Sequence, residues 1–211
     1  RMPGGLAQVN IFASLIFSGM SGAALADVGG LGLIEIKAME EKGFTKAFSA
    51  AVTVASATVG PIFPPSIPLV IYGAVTGTSV VKLLLAGILP AIFIVILLMV
   101  GTAILSIIRK YPRAEKRPKL SVLRKSFLRA LPSLLAPIFL IFGMLSGYFT
   151  PTEAASIVVV YVILVSLFVY RDYDLKYIIS SAYATIKSTA AIMIIIASAS
   201  LLQWILSVEK V

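Results

Sequence analysis

The sequence predicts an all-α polytopic membrane protein with inverted repeats, a re-entrant helical hairpin and discontinuous helices. Three observations predict it. Hydrophobic residues make up 59% of the 211 residues and charged residues only 13%, against about 25% charged in a soluble domain. The apolar residues gather in runs long enough to cross a bilayer, and lipid admits only helices and closed barrels as spanning elements. Two of these runs are interrupted by glycine, serine and proline. Breaks of that kind line cavities in transporters built from paired, inverted repeats.

Charge sets the orientation. The chain holds 18 basic and 9 acidic residues, a net charge of +9. Half of the basic residues fall in one stretch: Arg109, Lys110, Arg113, Lys116, Arg117, Lys119, Arg124, Lys125 and Arg129, with Glu115 as the one acid among them. The positive-inside rule reads this stretch as a cytoplasmic loop, and no nucleic-acid partner is expected. There is no Cys and no His. Thiolate and imidazole metal sites and Cys or His catalysis are therefore excluded from this segment. The chain begins at Arg1 and stops at Val211 just after an apolar run, and reads as an internal piece of a longer protein.

The elements follow in order. Residues 6–37 are interrupted. An apolar limb over 8–17 meets Ser18-Gly19-Met20-Ser21-Gly22, and Ala23 to Ala26 with Gly29-Gly30-Leu31-Gly32 lead into 33–39. This is either one span or a hairpin with both ends inside, and the small-residue break favours the hairpin. Residues 45–77 form a broken span. A helix over 45–59 meets Gly60-Pro61-Ile62-Phe63-Pro64-Pro65-Ser66-Ile67-Pro68, where four prolines remove four backbone donors and exclude a continuous helix. A second limb covers 67–75. Residues 80–108 span, with Pro90 inside. Residues 121–130 read as an amphipathic helix on the inner surface, 131–146 as a span, and 152–170 as the return. Arg171, Asp172, Asp174 and Lys176 make a short inner turn. Residues 177–187 read as partly interfacial and 188–206 as a final span, with Trp204 near the outer interface. Three regions result: a first-repeat transport core over 1–108, a basic loop with its amphipathic helix over 109–130, and the start of a second repeat over 131–211, which lacks its own hairpin.

The candidate site residues lie at the two breaks: Ser18, Gly19, Ser21, Gly22 and Asp27 in the first, and Thr58, Gly60, Pro61, Pro64, Pro65 and Ser66 in the second. Unwound backbone exposes carbonyls, and Ser and Thr add hydroxyls, which are oxygen ligands for a cation. Half-helix N-termini favour an anionic group. The plain alternative is close helix packing through small residues. Asp27 sits in an apolar segment, where an acid marks a functional site unless it only caps the amides of Gly29 and Gly30. Glu153 suits the start of a helix, with Thr152 as its cap. An intramembrane enzyme would want converging catalytic groups, which this composition does not offer. Another inverted-repeat ion or anion transporter is the nearer alternative.

The motifs also carry a resemblance. Gly4-Gly5-Leu6-Ala7-Gln8-Val9-Asn10, Gly19-Met20-Ser21-Gly22 with Ala26-Asp27, Glu35-Ile36-Lys37-Ala38-Met39, the proline-rich run with Ile71-Tyr72-Gly73, and Gly147-Tyr148-Phe149-Thr150-Pro151-Thr152-Glu153-Ala154-Ala155 together resemble the large membrane subunit of TRAP (tripartite ATP-independent periplasmic) transporters. The resemblance implies a sodium-coupled, elevator-type importer of organic anions such as dicarboxylates or sugar acids, in the inner membrane of a bacterium or archaeon. It implies Na+ as the coupling ion with no organic cofactor. It also implies a small membrane subunit and a periplasmic substrate-binding protein as partners. On the same ground, Ser18 to Gly22 would be the hairpin tip and Thr58 to Ser66 the unwound helix opposite it.

Overall fold

The structure, a computed structural model, describes residues 3–112, 120–171 and 174–209; residues 113–119 of the basic stretch and Asp172 of the inner turn lie outside the described residues. Among the described residues all regular elements are helical.

The first segment is a hairpin. Helix α1 covers Gly5–Ser21. It ends because Gly22 takes the left-handed conformation, φ 60°, a helix stop that favours a residue without Cβ. Ala23 is extended, and the return limb follows as α2 (Ala24–Asp27), a π-helical turn (Val28–Gly32) and α3 (Leu33–Glu40). The limbs are antiparallel, since the Asn10 amide donates to Met39 Sδ over 3.7 Å. Both ends of the hairpin sit where α6 (Val80–Ile108) ends. Gly4 abuts Ser106, and Thr45 hydrogen-bonds the Tyr111 hydroxyl at 2.7 Å. With both ends on the side of Arg109 and Lys110, the hairpin reading prevails over the single span.

The second segment is the broken span. Helix α4 (Lys46–Ala57) has 12 residues and α5 (Ile67–Thr76) has 10. At 1.5 Å per residue they reach about 18 Å and about 15 Å, so neither alone crosses a hydrocarbon core of about 30 Å. They run alongside α6 in the opposite direction. Phe48 packs on Tyr111 with ring centroids 4.6 Å apart. Further along, the Ile62 carbonyl presses on Gly87, and Gly73 lies against Val80. The core of this assembly holds Ala7, Ile11, Phe48, Val52, Val59 and Ala91.

Among the described residues, four helical stretches are long and apolar enough to cross a membrane: Val80–Ile108, Ser121–Met144, Pro151–Tyr170 and Lys176–Glu209. The chain is thus an all-α polytopic membrane protein. Two expected boundaries do not exist. The surface helix over 121–130 and the span after it form one helix, α7 (Leu120–Leu145), with Pro132 and Pro137 inside. The interfacial segment over 177–187 likewise continues into α9 (Leu175–Glu209). No glycine or proline interrupts α9, so a change in polarity alone did not end the helix. In α7 the two prolines are accommodated, as they are in many membrane helices.

Helix α8 (Pro151–Leu164) begins on a reciprocal cap, and its cap is Thr150, not Thr152. The Thr150 hydroxyl accepts from the Glu153 amide at 3.3 Å, while Glu153 Oε2 accepts from the Thr150 amide at 2.8 Å. Thr150-x-x-Glu153 is a capping box with Pro at N1. Thr150→Ala should cost about 1 kcal/mol of local stability. Hydrogen exchange of the Glu153 and Ala154 amides in bicelles should accelerate accordingly; unchanged rates would refute the cap.

The described residues up to Val159 form one compact unit, and those from Val160 onward form another. The second holds the end of α8, a π-helical turn (Val165–Tyr170), a left-handed residue at Arg171 (φ 54°) and α9.

Candidate ion and anion site at the hairpin tip

The hairpin tip meets the unwound loop of the broken span directly. The Ile67 amide donates to the Gly22 carbonyl at 3.4 Å. A Cβ on Gly22 would run into the Pro65 carbonyl oxygen, and one on Gly60 would come within 3.3 Å of the Ala23–Ala24 peptide. Backbone therefore touches backbone on both sides of the tip, and glycine is what permits it.

The loop is built by its sequence. The α4 helix runs out at Thr58, and the amides of Val59, Gly60 and Ile62 close short turns onto Ser56, Ala57 and Val59. The Pro64–Pro65 bond is cis. Buried Ser66 caps α5, accepting from the Leu69 amide at 3.2 Å, and its own hydroxyl donates to the Pro61 carbonyl. One serine thus ties both ends of the proline-rich run together.

Four helix ends converge here. The C-termini of α1 and α4 bring carbonyls, and the N-termini of α2 and α5 bring amides. Carbonyl ends carry partial negative charge and amide ends partial positive charge. The junction can therefore hold a cation and an anionic group side by side.

The candidate residues divide as follows. Gly22, Gly60, Pro65 and Ser66 stand at the junction. Ser21 is half-buried at the tip, and its hydroxyl makes only long, 3.5 Å hydrogen bonds with the Ala23 backbone. Ser18 is buried and donates back to the Ser14 carbonyl at 2.7 Å. Gly19 is buried with its Cα facing Pro137 of α7. The prolines 61 and 64 shape the loop. Thr58 is exposed and its hydroxyl is spent on the Ala55 carbonyl at 2.6 Å. Asp27 lies away from the tip. It is 1% exposed, and neither carboxyl oxygen has a hydrogen-bond partner, so it does not cap the Gly29 and Gly30 amides.

Sequence reasoning missed a buried polar seam beneath the tip. Asn10 donates to Thr53 at 2.8 Å and accepts from Ser56 at 3.1 Å. Ser56 and Ser14 share a hydrogen bond of 3.0 Å. All four residues are buried. A signal was there to read: Asn10, Ser14 and Ser18 recur at i, i+4, i+8, and Ser49, Thr53 and Ser56 at i, i+4, i+7. These are two polar stripes in apolar helices.

The whole chain, residues 1–211, matches the family model described as "Tripartite ATP-independent periplasmic transporter, DctM component". It is 41% identical to the sialic acid TRAP transporter large permease protein SiaM of Vibrio cholerae, over 100% of this chain and 49% of that protein. It is 38% identical to the C4-dicarboxylate TRAP transporter large permease protein DctM of Pseudomonas aeruginosa, over 99% of this chain and 48% of that protein. With the 2,3-diketo-L-gulonate TRAP transporter large permease protein YiaN of Escherichia coli, identity is 29% over 99% of this chain and 49% of that protein. The chain spans about half the length of these relatives. With hairpin and broken span at the places its motifs marked, and a match along its full length, this chain belongs to the DctM family of tripartite ATP-independent periplasmic transporter components.

Proposed function

We propose that this chain is the part carrying the first hairpin of the large permease subunit of a sodium-coupled importer of organic anions in a prokaryotic inner membrane. The observation that carries the reading is the junction of Gly22, Gly60 and Ser66, where helix ends of both signs meet in the middle of apolar segments. Relatives named for sialic acid, C4-dicarboxylates and 2,3-diketo-L-gulonate support a carboxylate substrate. In this reading a small membrane subunit and a periplasmic substrate-binding protein complete the transporter. The hairpin and broken span move together as the carried part of an elevator.

Bound sodium supplies positive charge at the tip. The chain's own part is to present the Ser21 hydroxyl and the last carbonyls of α1 and α4, and to offer the α5 amide end to the carboxylate. Ser18 holds the end of α1 in shape from behind, through its bond to Ser14.

The test is uptake by proteoliposomes holding the full complex and its binding protein. An inward sodium gradient should drive accumulation; uptake indifferent to it would sink the coupling. Ser21→Ala should raise the sodium concentration for half-maximal uptake about five-fold, the equivalent of one lost polar contact worth about 1 kcal/mol. An unchanged sodium dependence would remove Ser21 from the site.

A further inference from the structure

We propose that Asp27 is a proton-binding site, separate from the tip junction, and that its carboxyl group is protonated when the hairpin is closed on α4. Both carboxyl oxygens are enclosed and make no hydrogen bond. Helix α2, which carries Asp27, packs on α1, the π-helical turn and α4, all within this chain. No side chain from another part of a longer protein can reach these oxygens while that packing holds. Their partner must be as small as a proton.

The surroundings offer no countercharge. Helix α1 has no charged residue from Gly5 to Ser21, and the π-helical turn has none. In α4 the one charged residue is Lys46, exposed at its first position near the basic end. Helix α3 brings Glu35, Lys37 and Glu40. Lys37 is exposed, while Glu35 is half-buried with Oε2 also unbonded. The charge felt most closely is thus a second acid. An ionised carboxylate in such a place costs several kcal/mol, and a neighbouring acid adds to that cost. Protonation removes the charge and supplies one O–H donor.

The Ser14 hydroxyl lies beside the Asp27 carboxyl group; it shares one hydrogen bond of 3.0 Å with Ser56 and keeps a lone pair that can accept the acid's O–H. A metal ion would need several oxygen ligands instead. Of the nearby seam oxygens, those of Ser56 and Asn10 are already engaged. The proton comes from water when the hairpin parts from α4 and is released the same way. Ionisation in the closed state would push the return limb off α4, so proton occupancy sets how tightly the hairpin closes.

The experiment is infrared difference spectroscopy of the full transporter complex in lipid at neutral pH. The wild type should show a protonated-carboxyl C=O band that is missing from Asp27→Asn and retained in Glu35→Gln. A wild type without the band, or a band lost in Glu35→Gln and kept in Asp27→Asn, overturns the proposal. Folding gives a second arm. Asparagine imitates the neutral acid, so Asp27→Asn should fold at neutral pH at least as well as the wild type; a clear loss of stability overturns the assignment. A group protonated in the folded state and ionised in the unfolded chain makes stability fall as pH rises, by up to about ten-fold in the folding ratio per unit. Asp27→Asn should lose that slope, and equal slopes count against the site. Neither readout depends on sodium coupling, so failure here is distinguishable from failure of the transport reading.

Discussion

Gly22→Ala should reduce sodium-driven uptake about 100-fold in proteoliposomes of the full complex, while Gly77→Ala leaves most of it. The two glycines share a backbone conformation, with φ of 60° and 70°. Both substitutions therefore carry the left-handed penalty of about 1–2 kcal/mol. They differ in what surrounds them. A Cβ at Gly77 meets nothing within 4 Å, whereas one at Gly22 meets the Pro65 carbonyl. That oxygen is backbone held in a proline-rich turn, so it cannot swing aside as a side-chain end would. The tip has to lift off the loop, and overpacking of this kind adds about 1–3 kcal/mol. Lifting also separates the α1 and α4 carbonyl ends, the geometry on which the proposed sodium site depends. Equal uptake by the two variants would show that tip and loop need not touch.

Asn10→Ala should destabilise the protein by about 2–3 kcal/mol, because a buried network loses its shared member and leaves polar groups short of partners. Asn10 is 1% exposed and serves Thr53, Ser56 and Met39 at once. Val9→Ala is the control one residue away. Val9 is 59% exposed, and the change should stay within about 0.5 kcal/mol. Denaturant unfolding in detergent measures both. If the variants match, the seam does not fasten the hairpin to α4.

What the sequence made legible follows from which residues break helices. Gly22 and the prolines 61, 64, 65 and 68 act on their own backbone, so the tip and loop could be placed before any packing was known. The seam could not be placed that way. Asn10 and Thr53 are 43 residues apart, and each alone reads as an ordinary polar residue in an apolar helix; only the pairing of α1 with α4 brings their stripes face to face. Thr150-x-x-Glu153 carries the capping-box pattern in the sequence itself, two residues before the expected cap at Thr152. At Ala130 and Lys187, amphipathic character changes without a backbone stop, and α7 and α9 run on. Asp27 stands out in the sequence as an acid in an apolar segment, and the structure buries it at the end of α2, past the tip.

The four helix ends at the junction have a dielectric consequence. Two carbonyl ends and two amide ends nearly cancel, so the junction's own helix ends carry little net charge. Moving a lone ion into surroundings of low dielectric constant carries a Born penalty of order 20 kcal/mol before relaxation. A lone sodium ion or a lone carboxylate at the junction would make the carried body a charged particle in that setting. Occupied by both, the junction returns to balance. Under the proposed elevator motion, co-occupancy of cation and anion would need no latch between them: the hydrocarbon itself would reject a half-loaded crossing.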